Sequence, residues 1–467
     1  MAKIAEGRFG ANTLRRDLIR FGSAVGIATV FSAVQVFVIP RRLDVAAYGH
    51  YRLFLLLVNY FGLLHFGLGE GAYLRWAGQS AERIAREWRR IGSWLLAIQV
   101  IVVIIALCVA PLLEPVTRVY VIAVAVCAMF VNLSALSSFA LQAIGEFRRA
   151  GRVVFIAPSL FIISVLLVPH VTFLTALCCY VGSFAVAATY GSLCVLRVPI
   201  SHTEASTPIA LGHLIMTGFP VLAASLAGGL SQSIDRLLVS VAVPITSFAV
   251  YGFAATASVA ANSATQAISR VALSHAANWP SETRARFLGG FYDLISLGYG
   301  IGLVAEPLFE RMVTQYLPAY ALSLPIVRAL TMGLPFWVAT HVVLVGTLQS
   351  YGRVRRQLAI ELAGVAFVAL LAGIAILLHA PLWVVGAAST TGACATLITG
   401  SVVVRRAIPE AKAQRPVRFG ALIALQGASL IIALQLAGPW PAQCAIYALL
   451  AFAPTVIAAR SARSHDW

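Results

Sequence analysis

The chain alternates long apolar runs with short polar loops. A run of about 20 apolar residues is the length at which a helix crosses the hydrocarbon core of a bilayer. Read this way, the pattern predicts fourteen spans, at 18–39, 49–69, 91–110, 119–142, 153–168, 173–194, 211–241, 245–270, 287–305, 322–348, 358–378, 383–404, 419–437 and 442–459. The seventh is long and the fifth short, so a tilt, a break or a shifted edge is expected there. The polar positions set the orientation. Arg and Lys at the two termini and in the even-numbered loops number 27, against 4 in the other loops (Arg41, Arg42, Arg118 and Arg311). Arg52, Arg236 and Arg328 fall inside spans. Basic loops face the cytoplasm, so both termini are expected there. One basic stretch, Gly78–Arg90, places Ala81, Ile84, Ala85 and Trp88 along one helical face and Arg83, Arg86, Arg89 and Arg90 around the rest. It reads either as a helix lying on the anionic cytoplasmic leaflet or as an extension of a membrane helix.

Composition points the same way. Hydrophobic residues make up 60% of the chain and charged residues 11%, against roughly 25% charged in a soluble domain. The bilayer is therefore the expected solvent. A net charge of +17 could suggest nucleic acid. Basic residues at alternate ends of successive apolar runs are instead a topology signal, and no nucleic-acid partner is expected. The first apolar run is too long for a signal-peptide core and is followed by Arg41 and Arg42, so it reads as a retained first span. The seven cysteines all lie in apolar runs without metal-ligand or disulfide spacing, and read as small buried hydrophobes. No nucleotide-binding glycine loop, metal cluster or Ser/His/Asp arrangement is visible. The longest external loop, 306–321, has only Glu306 and Glu310 as acids. Neither an enzyme nor a bound cofactor or metal is expected.

A nine-residue pattern occurs twice. Leu141-Gln142-Ala143-Ile144-Gly145-Glu146-Phe147-Arg148-Arg149 returns 207 residues later as Leu348-Gln349-Ser350-Tyr351-Gly352-Arg353-Val354-Arg355-Arg356. A second echo pairs Tyr48-Gly49 with Tyr251-Gly252, 203 apart. Each copy closes or opens a span six spans from its partner, so two halves of like orientation are expected, related by an axis along the membrane normal. Spans 1–6 (1–208) form one lobe, spans 7–12 (209–406) the other, and spans 13–14 (407–467) are appended. Taken singly, an arginine pair after a helix and a glycine near its end are ordinary anchoring and capping.

The run Arg41-Arg42-Leu43-Asp44-Val45-Ala46-Ala47-Tyr48-Gly49-His50-Tyr51, followed by Phe66-Gly67-Leu68-Gly69, resembles the start of Wzx-type polysaccharide flippases. Asp235-Arg236 resembles their D-R pair, and Tyr316-Leu317-Pro318-Ala319-Tyr320-Ala321 their segment before span 10. The doubled L-Q-x-x-G-x-x-R-R ends are similar as well. The chain departs from the pattern at the extra Arg41 and at Gly252-Phe253. The resemblance implies membership of the multidrug/oligosaccharidyl-lipid/polysaccharide exporter superfamily. It implies an all-α integral membrane fold with two six-helix, MATE-like lobes around a central cavity of alternating access. It further implies movement of a polyprenyl-pyrophosphate-linked oligosaccharide from the cytoplasmic to the outer leaflet of a bacterial inner membrane. That step serves surface polysaccharides such as O-antigen or exopolysaccharide, alongside membrane lipids and a polymerase or assembly machinery. A small-molecule or drug antiporter of the same architecture is the alternative.

Ionisable groups inside spans are costly and are default functional candidates. Arg52 shares a face of span 2 with Asn59, about two turns on. A guanidinium suits a pyrophosphate because it pairs two phosphate oxygens at once; the other reading is that Arg52 reaches back to the interface. Asp235 and Arg236 come next, with Ser231 and Gln232 one turn earlier. Three readings stand: Arg236 faces substrate with Asp235 balancing it, Asp235 couples transport to a H+ or Na+ gradient, or the two form a structural brace. Arg328 and His341 share span 10 but point to different faces unless the helix breaks near Pro335; His341 reads equally as a packing residue. Arg270 reads as a cytoplasmic entrance for phosphate or as an anchor. Glu361, Asp293 and Glu70 lie near helix ends and rank lower. Cations without matching buried acids would make an electropositive cavity, which suits an anionic lipid-linked cargo and not a cationic drug.

Overall fold

The computed structural model describes residues 11–76, 78–199, 210–258, 281–351, 353–408, 416–436 and 438–464. All regular structure among them is helical. The helices are α1 (Ala11–Arg42), α2 (Val45–Phe61), α3 (Leu68–Trp76), α4 (Ala81–Val109), α5 (Pro115–Ile144), α6 (Phe147–Leu167), α7 (Phe173–Leu196), α8 (Leu211–Ser231) and α9 (Ile234–Ala242). They continue with α10 (Ile245–Ser258), α11 (Ser281–Leu303), α12 (Glu306–Tyr316), α13 (Leu324–Ala339), a π-helical stretch (Thr340–Val345), α14 (Gly346–Ser350), α15 (Val354–Leu377), α16 (Leu382–Ala407), α17 (Pro416–Gln435) and α18 (Trp440–Ser464). A 3-10 turn, Pro318–Ser323, precedes α13. Among the described residues nine helical segments are long and apolar enough to cross a membrane, and they fall on the expected third to seventh and tenth to thirteenth spans.

The chain forms two compact units, Met1–Leu226 and Ala227–Trp467. In the first, α1 packs on α6, and α5 packs on α4, α6 and α7. Its core joins Trp76 of α3, Ile84 and Ile91 of α4, Leu141 of α5 and Val195 of α7. In the second, α16 packs on α13 and α15, while α17 and α18 pack on each other and on α11. The division falls within α8. One reason lies in its N-terminal half, where Gly218 meets the backbone of Gly67 and Gly71 so closely that no β-carbon fits between them.

The helix faces explain the composition. On α4, Ile84, Trp88 and Ile91 are buried, while Ile101, Ile104 and Ile105 farther along are each about half exposed. Such a surface is stable where lipid tails cover it. The basic stretch 78–90 is resolved between its two readings. Ser80 caps α4, accepting from the Arg83 backbone N–H, and the helix runs unbroken from Ala81 to Val109. Its basic turns extend a membrane helix, and Glu87 there is buried against Arg75 (3.1 Å) and Arg83 (3.3 Å).

Span 2 was expected as one helix over 49–69, but it is broken. α2 ends at Phe61 and α3 begins at Leu68, with Phe66 and Gly67 between them at φ of 51° and 81°. The turn is held by polar groups that a break needs in an apolar setting. Gly67 N–H donates to His65 Nδ1 (3.2 Å), and Gln99 donates to the Leu64 carbonyl (3.3 Å). The long seventh span is also broken: α8 stops at Ser231 and α9 starts at Ile234.

Both sequence echoes have a structural counterpart, one of them in a different register. At Gly145 (φ 90°) the chain leaves α5 with the Glu146 N–H donating to the Leu141 carbonyl (2.8 Å). The Arg353 N–H donates to the Leu348 carbonyl at the same 2.8 Å. This six-to-one bond is the mark of a Schellman corner, and a new helix follows at once in each case. Leu141 and Leu348 are both fully buried. The Tyr-Gly echo is corrected by the helix boundaries. Helix breaks fall at 43–44 and 243–244, an offset of 200, not 203. In that register Tyr51 matches Tyr251 and Tyr48 matches Phe248, and all four rings are buried.

Candidate functional site

The richest buried polar cluster described lies in the second unit, where α8, α9, α10, the π-helical stretch and α15 meet. α8 ends in Gly228-Gly229-Leu230-Ser231, and the missing side chain at Gly228 matters. A β-carbon there would sit 3.3 Å from Glu361 Oε1 and 3.4 Å from the His341 ring. Glu361, 1% exposed, therefore lies against α8 and accepts from Ser231 Oγ (3.3 Å). Its other oxygen is 3.2 Å from His341 Nδ1. His341 Nε2 is 2.7 Å from the Gln232 side-chain nitrogen, and Trp337 stacks on the imidazole with centroids 6.1 Å apart.

The backbone places His341 there. Thr340–Val345 is π-helical, a widened turn that rotates the side chains after it and often marks a functional position. The helix does not break at Pro335: α13 passes through it and the irregularity begins five residues later.

The hydrogen-bonding roles are coupled. With imidazole neutral and the amide donating to Nε2, the ring proton sits on Nδ1 and is shared with Glu361. Protonation of the ring would turn Nε2 into a donor, and the Gln232 amide would have to present its oxygen. The cluster can thus take up one proton with a local amide flip, and histidine is the side chain suited to that near neutral pH.

Asp235 lies one turn farther on, at 2% exposed. Tyr251 OH donates to it (2.6 Å), as does the Arg236 backbone N–H (2.7 Å). The Arg236 guanidinium donates to the Gln232 carbonyl and lies 3.9 Å from Asp235. Asp235 also occupies the first turn of α9, where the helix dipole favours a negative charge.

Within the second unit the structure brings Gln232, Asp235, Arg236 and His341 together. Arg52 sits on α2 beside Tyr51 and Tyr180. Its Nε is buried and has no hydrogen-bond partner among the described residues. Asn59, two turns on, is exposed. Arg328 is not an unmatched cation, since Nε and Nη2 both donate to Glu310, the second at 2.6 Å. Arg270 lies outside the described residues. The expectation of buried cations without acids is corrected accordingly: Asp235, Glu310 and Glu361 stand beside Arg236, Arg328 and His341. Glu361 was ranked low for lying near a helix end, but α15 begins seven residues before it.

A signal for Glu361 exists in the sequence. His341 and Glu361 lie eleven residues before and nine after Gly352. In two antiparallel helices joined by a tight corner, residues equidistant from the corner share a depth. Tyr251 carried a signal only through the Tyr-Gly echo, and Glu310 carried none, because it lies outside any span.

No protein-family model matches the sequence, and no curated relative matches it. Solved structures do. The lipid II flippase MurJ in an inward-closed conformation superposes with a TM-score of 0.71 at 13% identity, covering 95% of this chain and 99% of that one. An inward-facing multidrug resistance MATE family transporter of the MOP superfamily gives 0.64 at 14% identity over 85% and 95%. A MOP superfamily transporter from Pyrococcus furiosus, described as having a binding pocket of reversed polarity, gives 0.53 at 14% over 86% and 95%. With its apolar spans, the chain is a multi-pass membrane protein that has the fold of these flippase and transporter structures.

Proposed function

We propose that this protein is a flippase that carries a polyprenyl-pyrophosphate-linked oligosaccharide from the cytoplasmic to the outer leaflet by alternating access, in the assembly of a cell-surface polysaccharide. The fold is shared with a structure named as a lipid II flippase, and the motif resemblance to Wzx-type proteins points the same way. The observation that carries the reading is Arg52. Its guanidinium has a buried, unpartnered Nε on a helix of the first unit, near Tyr51 and Tyr180. Arginine binds phosphate oxygens bidentately, and a pyrophosphate would supply the missing acceptor. The His341–Glu361–Gln232 cluster supports coupling to a proton gradient, since it can hold or release a proton without leaving a polar atom unpaired.

The test is a deletion strain complemented with variants. Arg52→Ala should abolish surface glycan, leave membrane abundance unchanged and accumulate lipid-linked intermediate on the cytoplasmic side. Arg52→Lys should also fail if paired phosphate contacts are needed. Normal glycan from Arg52→Ala would refute the assignment. A second reading, export of a small molecule or drug, draws on the buried carboxylates Asp235 and Glu361, which suit cationic cargo. Drug sensitivity with intact glycan in the deletion strain would favour it.

A further inference from the structure

The break in span 2 gathers a polar cluster of its own within the first unit. α2 ends at Phe61 and α3 begins at Leu68. Two side chains reach the break from neighbouring helices, Gln99 of α4 and Asn132 of α5, each at least ten residues from either end of its helix. The break therefore lies deep in the membrane. An interrupted helix there needs polar partners, and discontinuous helices at that depth form the substrate sites of many transporters. His65 and Glu70, whose side chains are 13% and 20% exposed, face water and not lipid at such a depth.

Three polar atoms at the break have no partner among the described residues. Gln99, fully buried, donates to the Leu64 carbonyl (3.3 Å), while its Oε1 is unmet. The Asn132 amide comes up to Gly62, its Oδ1 4.0 Å from where a β-carbon there would sit, and its Nδ2 is buried and unmet. His65 Nδ1 accepts from the Gly67 N–H (3.2 Å), so the neutral ring carries its proton on Nε2. It offers none to Glu70 Oε2, 3.4 Å away and likewise unmet. Buried polar groups without partners are costly, and the chemistry of these three selects what would meet them. Two acceptors and one donor do not suit a metal ion, which takes acceptors alone. They suit hydroxyl groups, each of which both donates and accepts. Beside them Phe66 is held at φ 51° and is 47% exposed. That is a strained conformation for a bulky residue, of the kind that persists at ligand clamps. An exposed aromatic face suits the C–H face of a sugar ring.

We propose that the break in span 2 holds a sugar ring of the lipid-linked cargo, its hydroxyls meeting Glu70, Gln99 and Asn132 and its face against Phe66. The proposal rests on the glycan-lipid reading and extends it to the sugar end of the molecule. Asn59, exposed just before the break, shares a face of α2 with Arg52 and lies about 10 Å from it along the helix axis. One molecule can therefore meet Arg52 with its pyrophosphate and the break with its sugars.

The test measures binding to the full-length protein in detergent by thermophoresis. The probes are polyprenyl pyrophosphate and its N-acetylglucosamine, N-acetylgalactosamine, glucose and galactose conjugates. At least one conjugate should bind about tenfold more tightly than the bare lipid, the effect of one or two net hydrogen bonds. Gln99→Leu removes an unmet acceptor at similar size. It should bring that conjugate down to the affinity of the bare lipid and leave the bare lipid unchanged. Arg52→Ala should instead weaken bare and conjugated lipid alike; if it weakens neither, the phosphate assignment fails while the sugar comparison stands. If Gln99→Leu does not fold, Phe66→Gly decides, since glycine takes φ 51° without strain and only the ring is lost. A sugar gain that survives in either folded variant, or no gain from any conjugate in the wild type, would overturn the proposal.

Discussion

Replacing Glu361 tests whether the buried cluster is held by charge or by shape. In Glu361→Ala, His341 Nδ1 loses its partner at 3.2 Å, whereas Ser231 Oγ loses one acceptor at 3.3 Å and keeps the Gly228 carbonyl at 2.9 Å. A carboxylate 1% exposed leaves a void behind it. Leaving the Nδ1–H donor without its acceptor costs about 1–3 kcal/mol, and the void adds to that. Glu361→Gln keeps the volume. Its amide oxygen still accepts from Nδ1–H and its amide nitrogen can donate to Ser231, so only the charge assistance is lost, about 1–2 kcal/mol. Thermal unfolding of the purified protein in one detergent at pH 7 should therefore rank wild type above Glu361→Gln, and that well above Glu361→Ala. A double-mutant cycle with His341→Asn should give a coupling of about 1.5–3 kcal/mol. Additive single substitutions, or Glu361→Ala as stable as Glu361→Gln, would refute the pairing.

Two other positions give sharp outcomes. Gly218→Ala would put a methyl group onto the Gly67 carbonyl and 2.5 Å from the Gly71 nitrogen; backbone cannot yield as a side chain does, so a loss of about 3 kcal/mol or more or a lowered disulfide yield between cysteines introduced on α3 and α8 is expected. Gly145→Ala forces an L side chain to φ 90° and should cost about 1–2 kcal/mol in thermal unfolding, whereas Gly182→Ala, helical with open space around its β-carbon position, should be neutral or slightly stabilising.

What the sequence revealed and what it hid divide along a physical line. Apolar runs report the solvent, so the spans from 81–112 to 211–231 and from 318–348 to 416–435 were legible without any contact information. The break in the seventh span was foreshadowed by its length. The break in the second was not, because Phe66-Gly67 is held by Gln99 from a neighbouring helix, and an apolar count does not register one donor. The doubled L-Q-x-x-G-x-x-R-R was legible because a Schellman corner is a local motif with a glycine at a fixed place. The Tyr-Gly echo matched letters three residues out of step, since helix starts, not identities, set the register. Pairings between distant charges were the least legible. Arg328 looked isolated because its acid, Glu310, belongs to a helix outside the span.

Those pairings change where an anionic cargo would be held. Arg236 has Asp235 beside it and Arg328 has Glu310, so these described intramembrane cations of the second unit bring equal numbers of acids with them. His341 with Glu361 is neutral or negative according to one proton. Arg52 in the first unit has no acid within salt-bridge distance among the described residues. A pyrophosphate that approached Arg236 or Arg328 would have to displace a carboxylate already in place, which costs the desolvation and pairing energy of that carboxylate. Beside Arg52 it would displace nothing. The two functions assigned to the charges are therefore separable by mutation. Arg52→Ala should reduce glycan transfer at every pH, whereas Glu361→Gln should leave transfer measurable and move its dependence on pH, because only the second touches a group that titrates.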